Sequence, residues 1–165
     1  MSRPIRYQQG YEVSPGRLYA TLVDRDYLDA RLAAIGGTNA SVLDHASDAD
    51  SAKYTLRQGV SREHLPGPVQ KVLRGDLIIE RTEKWRRGAD DTYDGTIAAR
   101  VKDAPGSING SLRISGSGSS GQFQVDGEVR VDIPLIGGKI EEAISEQVVR
   151  LLRREGQFTI EWFAR

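Results

Sequence analysis

Arg81 and Glu83 stand two residues apart in Leu77–Arg87, a run that reads as a β-strand. They therefore share one face with Ile79 and Trp85, while Ile78, Glu80, Thr82 and Lys84 share the other. Whichever face turns inward takes charge with it. An inward Arg81–Glu83 pair would orient a polar headgroup or serve acid/base chemistry. A strand near a sheet edge would leave both side chains in water. The sequence leaves both readings open.

Tyr7, Tyr54, Trp85, Tyr93, Phe123, Phe158 and Trp162 fall on proposed inward faces, where aromatic side chains either fill a core or line a cavity. Gly95, Gly110 and Gly127 take bulk away from the same faces, which curves a sheet or leaves room for a ligand.

Other chemistries have little support. Without cysteine there is no disulfide, thiolate nucleophile or cysteine-based metal site. The two histidines, His45 and His64, lack ligand spacing, so no metal site is expected. No G-x-S-x-G elbow is present. Gly116–Gly121 matches G-x-G-x-x-G in form, but a strand follows where a phosphate site needs a helix, so it reads as a hairpin turn. Asp90-Asp91-Thr92 reads as a solvated turn. Lys plus Arg equals Asp plus Glu at 23 each, which gives no global field for nucleic acid or an anionic membrane.

The elements that must position these residues are legible from periodicity. Ile5 to Val13 alternates as a first strand. Ser14-Pro15 starts a short helix, Asp24 caps a second, and Gly36-Gly37 ends it. Strands follow at 40–47 (weak), from Ala52, at 77–87, 93–101 and 108–114, and from Phe123 to Ile133, with one or two helical turns near Val69. Pro134 stops the last strand and Gly137-Gly138 turns the chain. Ile140, Ile144, Val148, Leu151, Phe158 and Trp162 then form one helical stripe. A helix of about 24 residues is roughly 36 Å long and needs a wide sheet to lie on. Arg150 to Arg154, answered by Glu141, Glu142, Glu146 and Glu155, reads as the solvated face of that helix.

This order resembles the helix-grip arrangement of the START-like (SRPBCC) superfamily. Leu65-Pro66-Gly67-Pro68-Val69, Gly75-Asp76-Leu77, Arg81-Thr82-Glu83-Lys84-Trp85 and Ala104-Pro105-Gly106 are similar to an actinobacterial branch of it, the domain-of-unknown-function 2505 family. So are Val131–Glu141 and Phe158-Thr159-Ile160-Glu161-Trp162, and together they span nearly the whole chain. The resemblance implies an α+β helix-grip fold of the START/Bet v 1 type in a single domain over residues 1–165. A curved antiparallel sheet of about six or seven strands would wrap the long C-terminal helix, with two short helices after the first strand.

The implied activity is binding of a hydrophobic, lipid- or polyketide-like molecule between sheet and helix, in a pocket of roughly 300–1,000 Å³. The candidate ligand-binding residues are Tyr54, Arg81, Glu83, Trp85, Tyr93, Phe123, Phe158 and Trp162. No catalytic residue, metal ligand or cofactor is assigned. A cyclase- or isomerase-type enzyme and a ligand-free protein-interaction domain are the alternatives. With no apolar leader or spanning run, a cytoplasmic protein without stable membrane insertion or nucleic-acid partner is expected.

Overall fold

The computed structural model describes residues 2–165. The first strand, β1 (Arg3–Tyr11), leads into α1 (Pro15–Leu22) and α2 (Arg25–Ile35). Both helices start as their sequences require: Ser14 Oγ accepts the Arg17 N–H at 3.2 Å, and Asp24 Oδ2 accepts that of Tyr27 at 3.0 Å. The chain then runs through β2 (Ser41–Ser47), β3 (Ser51–Val60), a 3₁₀ turn and the single-turn α3 (Gly67–Gln70). β4 (Leu77–Arg87), β5 (Tyr93–Val101), β6 (Gly106–Ser117), β7 (Ser120–Val131) and α4 (Gly137–Phe163) complete it.

The seven strands form one antiparallel sheet in the order β1-β7-β6-β5-β4-β3-β2. From β2 to β7 each strand pairs with the next in sequence, and β1 closes onto β7 because two helices separate it from β2. The edges are therefore β1 and β2. β4 lies inside the sheet, paired with β3 and β5. Arg81, Glu83 and Trp85 all point to the covered face and are buried, so the reading that left them in water near an edge is overturned. Where Gly110 faces Gly127, a side chain at Gly127 would sit 2.7 Å from the Asn109 carbonyl. The pair lets β6 and β7 approach and bend under the helix.

α4 lies across β1 and β7 and also touches α2 and α3. Its 27 residues span about 40 Å. Pro134 ends the sheet ladder and Leu135 turns the chain with a positive φ of 71°, leaving its side chain fully exposed. The buried line of α4 contains Ile140, Ile144 and Leu152, but also Glu141, Ser145, Glu155, Gly156 and Thr159. Val148, Leu151, Phe158 and Trp162 flank it half-buried. The expectation that Glu141 and Glu155 belong to a solvated face is thus corrected. Glu141 Oε2 accepts the Val131 N–H at 2.8 Å, which ties the start of α4 to the end of β7. No helix among the described residues is long and apolar enough to cross a membrane.

Candidate functional site

Three small voids lie in a row beneath α4. One of about 20 Å³, near α3, is lined by Val69, Val72, Leu73, Ile140 and Ile144. The middle one, about 30 Å³, is bounded by Ile5, Ile79, Ile97, Val125, Leu151 and Leu152. The last, also about 20 Å³, is polar and touches Tyr7, Arg31, Tyr54, Glu83, Glu155 and Gly156. Arg81 and Leu152 border both the second and the third. Each void is water-sized, so the expected pocket of hundreds of cubic ångströms is not open in this conformation.

Two cations and two anions meet at the polar end. Arg81 donates through Nε to Glu83 Oε2, and through its NH1 group to Glu155 Oε2 at 2.8 Å and Oε1 at 3.1 Å. Gln58 accepts from Arg81 at 3.3 Å and donates to Glu155 Oε2 at 3.2 Å. Arg31 approaches Glu155 Oε1 at 3.8 Å. On the far side the Trp85 indole N–H donates to Tyr54 Oη at 3.1 Å, and Tyr54 donates to Glu83 Oε1 at 3.0 Å. Thr159 donates to the Glu155 carbonyl at 2.8 Å, which leaves its oxygen to accept from Tyr27. Taking four charges out of water is costly, and dense pairing of this kind is what makes it tolerable.

The electrostatics hold these charges in place. Burial works to raise the Glu155 carboxyl, but Arg31 and Arg81 outweigh it and hold it below the ordinary carboxylate range. Burial works against the charge on both arginines, but Glu155, Glu83 and the neighbouring tyrosines together outweigh it and lift them above their ordinary value. Tyr7 is pushed up to about 12, first by burial and then by Glu155. Tyr54 is raised by burial and by Glu83. Glu155 is thus a fixed anion at neutral pH, and Tyr7 and Tyr54 are fixed phenols. Acid/base catalysis at neutral pH needs groups near that pH, and these three are driven away from it.

One corner of the cluster stays unsatisfied. Arg31 Nε and NH2 and the Tyr7 hydroxyl are buried and have no hydrogen-bond partner among the described residues. Tyr7 reaches this corner because α4 offers a glycine there: a Cβ on Gly156 would overlap Tyr7 Oη, whereas the ring carbon behind it stands at 3.4 Å. Gly156→Ala should therefore cost about 1–3 kcal/mol in the wild type. In a Tyr7→Phe background the overlap is gone, and the same change should be neutral or gain up to about 1 kcal/mol of helix propensity. Urea denaturation of the four proteins measures the coupling. Additive effects would show that Tyr7 does not lie against Gly156.

The eight residues expected at the site divide. Tyr54, Arg81, Glu83 and Phe123 border the polar void. Trp85, Tyr93, Phe158 and Trp162 line neither it nor the middle one. Trp85 stands behind Tyr54, and Tyr93 stacks on Tyr19 with centroids 4.2 Å apart. Phe158 and Trp162 lie against Tyr27 of α2 at 5.8 and 5.4 Å. Sequence reasoning missed Arg31 and Glu155, and it placed Tyr7 inward without giving it a role. His45, without metal-ligand spacing, donates through Nε2 to the Val23 carbonyl at 2.6 Å.

Comparison with known proteins agrees with this architecture. A family model described as "Protein of unknown function (DUF2505)" matches residues 6–163. An uncharacterized protein of Mycobacterium tuberculosis (strain H37Rv) is 30% identical over 169 residues, covering 98% of this chain and 97% of the relative. Among solved structures, a START superfamily protein from Mycobacterium smegmatis aligns with a TM-score of 0.56 at 14% identity, over 97% of this chain and 98% of that one. A Thermus thermophilus protein, TTHA0849, aligns with a TM-score of 0.59 at 13% identity, over 96% of this chain and 98% of that one. At such identities the structural likeness concerns the fold alone.

Proposed function

The chain belongs to the DUF2505 family, START-like in fold, and we propose that it binds a hydrophobic small molecule between its sheet and its C-terminal helix. The observation that supports this most is the row of voids under α4, apolar from Ile140 to Leu151 and polar from Leu152 to Thr159. Such a row is what remains when a tunnel with an apolar body and a polar end closes. A ligand enters by lifting α4 and α3 off the sheet, and it meets Arg81, Glu83, Tyr54 and Phe123 at the polar end. Trp85 supports that end from behind. The START superfamily membership of the Mycobacterium smegmatis structure is consistent with this reading.

Nile red, an uncharged apolar fluorophore, tests it. Saturable uptake at one per chain, with the blue-shifted emission of a dry site, is the expected result. Absence of saturable uptake would contradict the proposal. Placing charge in the middle void by Leu152→Asp should abolish uptake; Leu152→Asn, less costly to bury, separates loss of the site from loss of folding.

A specific observation favours a second reading, a protein-interaction domain. Leu135 is fully exposed and Ile136 is 42% exposed at the tip of the β7–α4 turn, an unusual place for two adjacent apolar side chains. On that reading Leu135→Asp breaks a complex and leaves Nile red uptake intact.

A further inference from the structure

The unsatisfied corner beside Tyr7 narrows the chemistry of the molecule. We propose that Tyr7 and Arg31 form a subsite for one uncharged oxygen of the ligand, a hydroxyl or a ketone, and that this subsite rejects carboxylates. The inference rests on the ligand-binding reading and adds a polarity and a size to it.

Arg31 is only 5% exposed, and its Nε and NH2 groups can only donate. Tyr7 stays a phenol at neutral pH and also has a hydrogen to give. Buried donors without partners are costly, so the corner calls for an acceptor. A hydrocarbon alone would leave all of them unpaired.

The void that Tyr7, Arg31 and Glu155 help to line is about 20 Å³, enough for one water. A single ligand oxygen fits that volume without moving the cluster. A carboxylate carries two oxygens and would force Arg31 away from Glu155.

Arg31 and Arg81 are already balanced by Glu83 and Glu155, and both arginines face Glu155. A ligand anion would give the buried cluster a net negative charge, and it would sit beside the Glu155 carboxylate. An ionised group in such a site costs far more than a neutral dipole. The open Nε/NH2 edge of a guanidinium is the fork that elsewhere grips carboxylates. Here the neighbouring anion and the small volume turn it towards a neutral oxygen.

The preference is read by displacing Nile red with decane, decanol, decanone and decanoate, from the wild type and from Tyr7→Phe. Tyr7→Phe removes one oxygen without creating a cavity, so it should fold. In the wild type, decanol or decanone should bind at least about tenfold more tightly than decane and decanoate, the worth of one satisfied buried donor. Tyr7→Phe should lose most of that preference. Decanoate binding as tightly as decanol would overturn the subsite and leave the ligand-binding reading standing. Equal binding of all four, unchanged in Tyr7→Phe, would show that the corner holds only a water. Failure of every probe and of Nile red would overturn both readings together.

Discussion

Replacing Glu155 with alanine should lower the unfolding free energy by about 3–5 kcal/mol, the cost of leaving buried partners without their counter-charge. Arg81 would lose two hydrogen bonds to Glu155, and Arg31 its only ion-pair partner among the described residues. Both arginines are only 5% exposed. Glu155→Gln keeps the shape and part of the hydrogen bonding, and should fall between alanine and wild type. The pH dependence follows with a definite sign. Glu155 is held below its ordinary value of 4.5 when folded, so its contribution is fully present above that unfolded value. The contribution is lost as pH falls through the folded value. Acid titration followed by circular dichroism should therefore show the wild type losing stability below about pH 4.5 more steeply than Glu155→Gln. Equal slopes would mean that Glu155 is not clamped by the arginines.

Trp85→Ala should cost a similar amount, about 3–5 kcal/mol, by a different mechanism. Trp85 is 3% exposed, lies edge-on to Tyr19 at 6.3 Å and touches Phe123 at 6.2 Å, so its loss opens a cavity between α1 and the sheet. Its indole N–H also fixes the hydroxyl of Tyr54, which in turn holds Glu83. Trp85→Phe separates the two roles. It keeps most of the packing and should cost about 1 kcal/mol for the hydrogen bond. Thermal denaturation of both variants checks the order. A phenylalanine variant as unstable as the alanine one would show that the indole N–H, not the packing, dominates.

These effects show where sequence reasoning reached and where it stopped. Strand period, the caps at Ser14 and Asp24 and the stop at Pro134 are local signals, and local signals set the element order. Sidedness is different. Both faces of Leu77–Arg87 carry charge, and only the covering of one face by α4, which brings Glu155 onto Arg81, makes Arg81 and Glu83 interior while Lys84 on the other face stays exposed. Glu155 was legible in principle. The apolar stripe of α4 jumps from Leu151 to Phe158, and a helix places residue 155 in that gap. Counting only apolar residues hides a buried carboxylate that continues the stripe. Arg31 could not be found in the same way, because its partner comes from the opposite end of the chain. A buried charge reads as surface until the fold supplies its partner.

The same limit applies to the pocket. Glycines and aromatic residues at the right spacing argue for a curved sheet with something beneath the helix. Whether the space is open depends on how closely Val148, Leu151 and Leu152 settle onto the sheet. Periodicity carries no information about that distance.

Native mass spectrometry of the purified protein, as isolated and after incubation with a mixed neutral-lipid extract, tests the central claim most directly. The predicted result is a population carrying one neutral, apolar, oxygen-containing molecule per chain, released by solvent extraction and identified from its mass. A bare chain under both conditions would contradict the account and leave the charged cluster under α4 as a purely structural device.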